Sequence, residues 1–401
     1  MFNSLKFKVI LFGFIFTFFS SFGQSYFLGL FNSSIREALS ITHGQFGSIY
    51  ASATLCSSLL LIWVGKKIDD VNIFKFAFFV TILLSFACFF FSRVTSVFLL
   101  FIAIFLMRFS GQGMMSHTAS TTISRYFTRT RGRALSISWF GLSSAEFIMP
   151  VLMVYLLTII DWQNLWLIFS ITVLIILPIA SFLLIKNLNL DSREDSNKDI
   201  KEVEIKQWKR AEVIKDYRFY IISSNMLAMP WIFTGFAVFQ SFIQTSKGWG
   251  PYVIAQSFMS YSIFSVLTLF LSGFLIDKFT SRKLLIYMNI PLLLSVIVLF
   301  FFDTPVTAFI FLGLVGISNG FANILGSSTW AELYGVKYLG SIKALTTALM
   351  VFATAFGTAL FGYLIDIGFS VGDIAVVSGS YIFISLILLF LVRKKLNPVI
   401  I

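Results

Sequence analysis

The stretch Gly273-Phe-Leu-Ile-Asp277 closes an uncharged apolar run over 251–276, and Gly65-Lys-Lys-Ile-Asp69 closes another over 44–64. The two stretches lie 208 positions apart, and the same shift relates Ser110 to Ser318, Tyr126 to Tyr334 and Gly132 to Gly340. Several matches at one shift point to an ancient duplication. Working outward, apolar runs bounded by charged or Gly/Pro-rich breaks predict twelve spans, at 7–32, 44–64, 74–92, 97–123, 134–159, 165–185, 218–245, 251–276, 284–302, 305–330, 344–365 and 373–392. Each is near the ~20 residues a helix needs to cross a bilayer. Of the 401 residues, 58% are apolar, 50 are Phe, and mean hydropathy is +0.90. A soluble domain, at ~45–50% apolar, hides far less.

These runs predict an all-α polytopic membrane protein of twelve transmembrane helices in two six-helix bundles, 1–185 and 218–401, joined by a linker at 186–217. Six spans preserve orientation, so the bundles are parallel repeats related by an axis along the membrane normal. The net charge of +12 does not point to nucleic acid, because this composition offers no basic face on a soluble surface. It reports orientation instead: 26 of the 30 Lys and Arg fall on the side that holds the termini. The positive-inside rule therefore makes both termini cytoplasmic, in the inner (cell) membrane. The start of the chain pairs Lys6 and Lys8 with an apolar run but lacks a small-residue cleavage site, and reads as an uncleaved first helix. Two cysteines, Cys56 and Cys88, sit inside apolar runs and suit packing rather than a disulfide framework. In the linker, Ile200, Val203, Trp208, Ala211 and Ile214 fall near one helical face, as in a helix lying on a membrane surface; a solvated linker is the alternative.

With these residues in view, the chain resembles the major facilitator superfamily over essentially its whole length. The superfamily signature after helix 2, Gly-x-Leu-x-Asp-Arg/Lys-x-Gly-Arg/Lys-Arg/Lys, is matched by Gly273, Leu275, Asp277, Lys278, Arg282 and Lys283, with Thr280 in place of the later glycine. The first copy keeps Gly65 and Asp69 but has Asp70 where a base is usual. The resemblance implies a cytoplasmic latch, with Asp69 pairing with Arg125 and Asp277 with the start of span 11, and Gly65, Gly273 and Arg282 belonging to the same gate. Arg108-Phe-Ser-Gly-Gln-Gly113 and the loop Arg125 to Ala134 are most similar to the monocarboxylate and oxalate/formate porter branch, although spans 8 and 11 hold none of the cations that branch often places there.

Ionisable residues inside a bilayer are functional candidates by default. Arg108 lies ~11 residues into span 4 and Glu146 ~12 into span 5, depths of roughly 17 and 18 Å at 1.5 Å per residue, near the midplane of a ~30 Å core. Opposite charges at equal depth on adjacent antiparallel helices are expected to meet or share a cavity, either as a structural pair or as an anion anchor (Arg108) beside a proton-coupling carboxylate (Glu146). Gln24, Gln112, Trp139, Ser143, Asn225, Trp231, Tyr261, Asn319 and Asn323 lie at similar depth and could complete a substrate site, or make interhelical hydrogen bonds. His117, toward the cytoplasm, is either a proton relay or a helix–helix tie. His43 and His117 are too far apart to share a metal, and no metal, cofactor, nucleotide or nucleophile motif is evident.

The expectation is a secondary active transporter, not an enzyme, acting as a monomer on a small organic anion such as a monocarboxylate and driven by protons through alternating access. The rivals are an exporter or a carrier of a neutral solute with Arg108 and Glu146 as a structural pair and, outside the class, an integral-membrane enzyme or a channel.

Overall fold

A computed structural model describes residues 5–127, 130–186 and 206–399. Twelve helices among them are long and apolar enough to cross a membrane. We label these α1 (Leu5–Gly29), α2 (His43–Asp69), α3 (Ile73–Phe91), α4 (Val97–Tyr126), α5 (Arg131–Leu156), α6 (Trp162–Ile185), α7 (Tyr217–Val238), α8 (Val253–Ile276), α9 (Ser281–Phe301), α10 (Pro305–Tyr334), α11 (Leu339–Asp366) and α12 (Val371–Lys395). The chain divides into two compact units, Met1–Lys198 and Asp199–Ile401.

In the first unit α1 packs along α5, and α3 along α6. The α3–α6 seam is held by reciprocal bonds, with the Ser85 hydroxyl donating to the Ser170 carbonyl (2.9 Å) and the Ser170 hydroxyl to the Ser85 carbonyl (2.8 Å). Such pairs matter in a bilayer, where lipid competes equally for apolar faces and helices associate through small residues and polar ties. α1 is not one continuous helix. It runs to Ser20, tightens through a turn at Ser21–Gly23, becomes extended at Gln24 (φ −81°, ψ 152°) and restarts at Ser25. Its aromatic residues hold the broken segment in place. Phe22, Phe27 and Phe31 surround the fully buried Trp166 of α6, with centroids 6.2, 5.7 and 5.1 Å away, and Phe91 and Phe169 complete the cluster.

The second unit repeats one contact closely. Gly141 on α5 lets the Phe14 carbonyl of α1 approach, and an added Cβ there would stand 2.9 Å from the Phe14 carbonyl carbon. Gly357 on α11 does the same for Trp231 of α7, at 2.8 Å. Only glycine leaves room for a backbone that near.

At the end of the second unit where α7 begins, the chain before the helix is docked rather than spread on a surface. Trp208 N–H donates to the Tyr334 carbonyl (3.0 Å) and its ring packs edge-on against Tyr334. The Asp216 carboxylate takes Arg218 at 2.8 Å and the Tyr334 hydroxyl at 3.1 Å, while Arg218 also donates to the Asn397 carbonyl (2.7 Å). The expected amphipathic surface helix is therefore corrected in its described part. Only Arg210–Val213 is helical, and Trp208 docks on the end of α10 through its backbone N–H and the edge-on contact of its ring with Tyr334. Ile200 and Val203 lie outside the described residues.

The glycine contacts give a direct check. Gly141→Ala and Gly357→Ala should each cost about 1–3 kcal/mol through overpacking, seen as a lowered unfolding midpoint of purified protein in detergent. Gly340→Ala, which has nothing within 4 Å of its added carbon, should leave the midpoint unchanged or slightly raised. Equal effects at all three positions would show that close packing is not what these glycines supply.

Candidate functional site

Arg108 opens a π-helical turn, Arg108–Met115, inside α4. Turns of this width cluster at functional positions because the extra residue per turn redirects side chains and loosens the ladder. Here the turn meets the break in α1. A Cβ on Gly111 would stand 2.9 Å from the Gly23 Cα, so both chains need glycine where they cross. The restarted helix takes its first bond at the Gln24 carbonyl, from Leu28 N–H at 3.1 Å, and Arg108 reaches the Gly23 carbonyl just before it.

The guanidinium is 3% exposed. Its Nη1 donates to the Gly23 carbonyl (3.0 Å) and to the Ser25 hydroxyl (3.3 Å). The fully buried Tyr50 of α2 lies with its ring 5.3 Å from the Arg108 Cζ, a cation–π distance, and its hydroxyl donates to the Ser25 Oγ at 3.0 Å. The other edge of the guanidinium is unused. Nε is buried without a partner, and Nη2 makes no hydrogen bond among the described residues. This edge carries two parallel N–H donors, the geometry that takes the two oxygens of a carboxylate.

The expected meeting of Arg108 and Glu146 is not found. Among the described residues no ion pair joins them and Glu146 makes no hydrogen bond, although it is 8% exposed. The reason is the broken helix: Arg108 is drawn to the Gly23 carbonyl on one part of the break, while Glu146 lies within electrostatic reach of the Tyr26 hydroxyl on the next turn. Equal depth placed both charges against the same segment of α1 without placing them against each other.

Of the other candidates in the first unit, Gln24 and Gln112 flank this break, both half-buried; Gln24 is its extended residue, and the Gln112 backbone N–H lies against Gly23. Ser143 is half-buried one turn before Glu146, and Trp139 is 37% exposed. His117 Nε2 is hydrogen-bonded to the Gly65 carbonyl (3.0 Å), tying α4 to the end of α2. In the second unit Asn225 is fully buried, its side-chain amide has no partner among the described residues, and its carbonyl accepts from Asn289 (2.6 Å). Trp231 packs against Tyr381, and Tyr261 stacks on Phe233 at 4.9 Å. Asn319 donates to Ser265 (2.9 Å), whereas Asn323 is exposed. Sequence reasoning missed Gly23, Ser25 and Tyr50, the three residues that hold Arg108.

The family model of the Major Facilitator Superfamily matches residues 13–256. The chain belongs to the major facilitator superfamily. Among solved structures, this transporter is similar to a bacterial homolog of the human lysosomal transporter Spinster in an inward-facing, unoccupied conformation, with a TM-score of 0.76 at 13% identity over 98% of each chain. It is also similar to the nucleoside transporter NupG, with a TM-score of 0.70 at 15% identity over 98% of this chain and 99% of that one. No curated protein matches its sequence. Its twelve apolar helices make it an integral membrane protein, and the family points to a transporter rather than an enzyme.

The residues expected to form a latch have different surroundings in the two units. Arg125, at the end of α4, pairs with the Asp69 carboxylate and donates to the Ile68 carbonyl (3.0 Å). Gly65 is buried, with a Cβ there 3.5 Å from His117, whereas nothing among the described residues lies within 4 Å of a Cβ on Gly273. The Asp277 side chain, and with it the expected pairing to the start of α11, lies outside the described residues. The Arg282 guanidinium donates to the Asn397 side chain (2.8 Å) and the Leu396 carbonyl (3.2 Å) of the C-terminal tail. Glu332, unremarked in the sequence, accepts from the Ser281 and Arg282 backbone N–H groups (2.8 and 3.3 Å) and caps α9, as a carboxylate at a helix N-terminus should.

Because the Asp69 side chain is 68% exposed, a double-mutant cycle on Asp69 and Arg125 should return a coupling of only about 0.2–1 kcal/mol. Arg125→Ala alone should cost more, since it also strips the Ile68 carbonyl of its donor. A coupling above about 2 kcal/mol would show a buried pair instead.

Proposed function

We propose that this transporter moves a small organic anion, of monocarboxylate type, by alternating access, with Arg108 as the anion anchor and Glu146 as the group that carries the coupling proton. The observation that carries the reading is the two-donor Nε–Nη2 edge of a buried guanidinium whose remaining donor group, Nη1, is committed to α1. An unmatched buried donor is costly, at ~1–3 kcal/mol, and more beside a charge. A planar ligand with two adjacent oxygens removes that cost and neutralises the guanidinium. Glu146 is a buried carboxyl that makes no ion pair among the described residues. It is the group that takes up a proton as the anion binds, so that anion and proton travel together. Gln24 and Gln112, polar and half-buried at the break, supply neutral hydrogen bonds to the rest of the ligand.

In this reading the bundles are 1–185 and 218–401 with 186–217 as the linker, the protein works as a monomer, and both termini are cytoplasmic in the inner membrane, as the basic residues indicate. Asn225, Trp231, Tyr261, Asn319 and Asn323 are the candidate ligand residues of the second unit, and the Asp69–Arg125 pair belongs to the cytoplasmic gate. A second reading has one observation in its favour. The Nη1 bonds to Gly23 and Ser25 give Arg108 a purely structural task, which fits a carrier of a neutral solute.

Counterflow in proteoliposomes separates the two. Arg108→Gln should abolish exchange of small carboxylates while the protein remains folded, and Glu146→Gln should abolish proton-driven accumulation while leaving exchange partly intact. Exchange of acids that survives in Arg108→Gln overturns the anchor, and unchanged accumulation in Glu146→Gln overturns the coupling role.

A further inference from the structure

We infer that Tyr50 is a positioning residue that sets ligand specificity by deciding which edge of Arg108 faces the ligand; the inference rests on the anion reading above. A guanidinium offers two edges with paired donors, Nη1–Nη2 at its end and Nε–Nη2 at its side. The end edge is closed when Nη1 is occupied, and Nη1 is occupied by the Gly23 carbonyl and the Ser25 hydroxyl. Ser25 accepts this bond at 3.3 Å while also accepting from the Tyr50 hydroxyl at 3.0 Å. The Tyr50 hydroxyl thereby holds the serine oxygen toward the arginine, and the serine's own proton must point elsewhere. The Tyr50 ring, 5.3 Å from Cζ, supports the same guanidinium from one face. Tyr50 is fully buried, so neither contact is traded with water.

The arrangement is a closed circuit of three side chains on three helical segments, from α2 through the restarted α1 to α4. It leaves the side edge as the single paired-donor edge. That edge matches two coplanar oxygens, so a carboxylate satisfies both donors, while an amide presents only one acceptor and an N–H group that clashes with the other. Removing the Tyr50 hydroxyl frees Ser25 to rotate and donate elsewhere. Nη1 then loses one of its two partners, the end edge opens, and a single acceptor can be satisfied in several orientations. The consequence is lost selectivity rather than lost binding.

The test uses full-length transporter in detergent and in proteoliposomes, with propionate, propionamide and ethylphosphonate as probes for binding and for competition of propionate counterflow. Tyr50→Phe keeps the ring and its cation–π contact, and should lower the preference for propionate over propionamide by about tenfold, the worth of one buried hydrogen bond, with the unfolding midpoint nearly unchanged. Ser25→Ala should lower it likewise, whereas Ser25→Thr, which keeps the hydroxyl, should retain it. Ethylphosphonate, with tetrahedral oxygens, should gain relative to propionate in Tyr50→Phe. An unchanged ratio in both Tyr50→Phe and Ser25→Ala, in protein whose propionate uptake still requires Arg108, overturns this inference alone. Propionate uptake that is absent from the parent protein, or that persists in Arg108→Gln, overturns the anion reading and this inference with it. A variant that fails to fold is replaced by Ser25→Ala, which removes the same link without touching the ring.

Discussion

The hydrogen bond from the Arg108 guanidinium to the Gly23 carbonyl joins the break in α1 to the π turn of α4, and the candidate site is built around it. A cation in the middle of a membrane helix costs several kcal/mol unless it is satisfied, and a carbonyl at a helix break is equally costly without a donor. Each cures the other. The price of the arrangement is geometric: α1 must open at Gln24, α4 must widen into a π turn, and Gly23 and Gly111 must let two backbones cross without side chains. The aromatic cluster around Trp166 then fixes the opened segment from behind, so that the polar side is the side with freedom to respond to a ligand.

The duplication makes this asymmetry visible. The two units share close helix packing, with Gly141 against Phe14 and Gly357 against Trp231. They diverge in charge. The 208-residue shift that aligns the halves puts Gly316 where the first half has Arg108, and Gly316 is used for packing, its added Cβ standing 3.1 Å from the Tyr261 carbonyl carbon. At the helix ends the first unit uses a cation, Arg125, to hold Asp69 and the Ile68 carbonyl, while the second uses an anion, Glu332, to cap α9. A helix C-terminus calls for a cation and an N-terminus for an anion, so the two devices serve opposite helix ends at related places in the repeat.

The spans were legible because a bilayer makes a simple demand: about 20 residues without charge, broken by short polar islands. Arg108 and Glu146 stood out for the same reason. What was not legible was direction. Depth along two helices said nothing about the rotation of each helix, and a π turn changes that rotation for every residue after it. Gly23-Gln24-Ser25 carried a signal, being a glycine and two polar residues inside an apolar run, but its meaning as a helix break required its neighbour on α4. Tyr50 carried none, since a tyrosine in a membrane helix is ordinary until its hydroxyl and its ring are both seen to serve one arginine. Glu332 and the docked Trp208 were hidden because caps and loop contacts depend on which chain ends the fold brings near.

The measurement that bears most directly on the central claim is 15N solid-state NMR of arginine side chains in reconstituted protein, with the Arg108 resonances assigned by their absence from Arg108→Gln. Titration with a transported carboxylate should shift the Arg108 Nε and Nη2 signals and leave Nη1, held by Gly23, nearly fixed. A transported acid that leaves Nε and Nη2 unmoved would contradict the account.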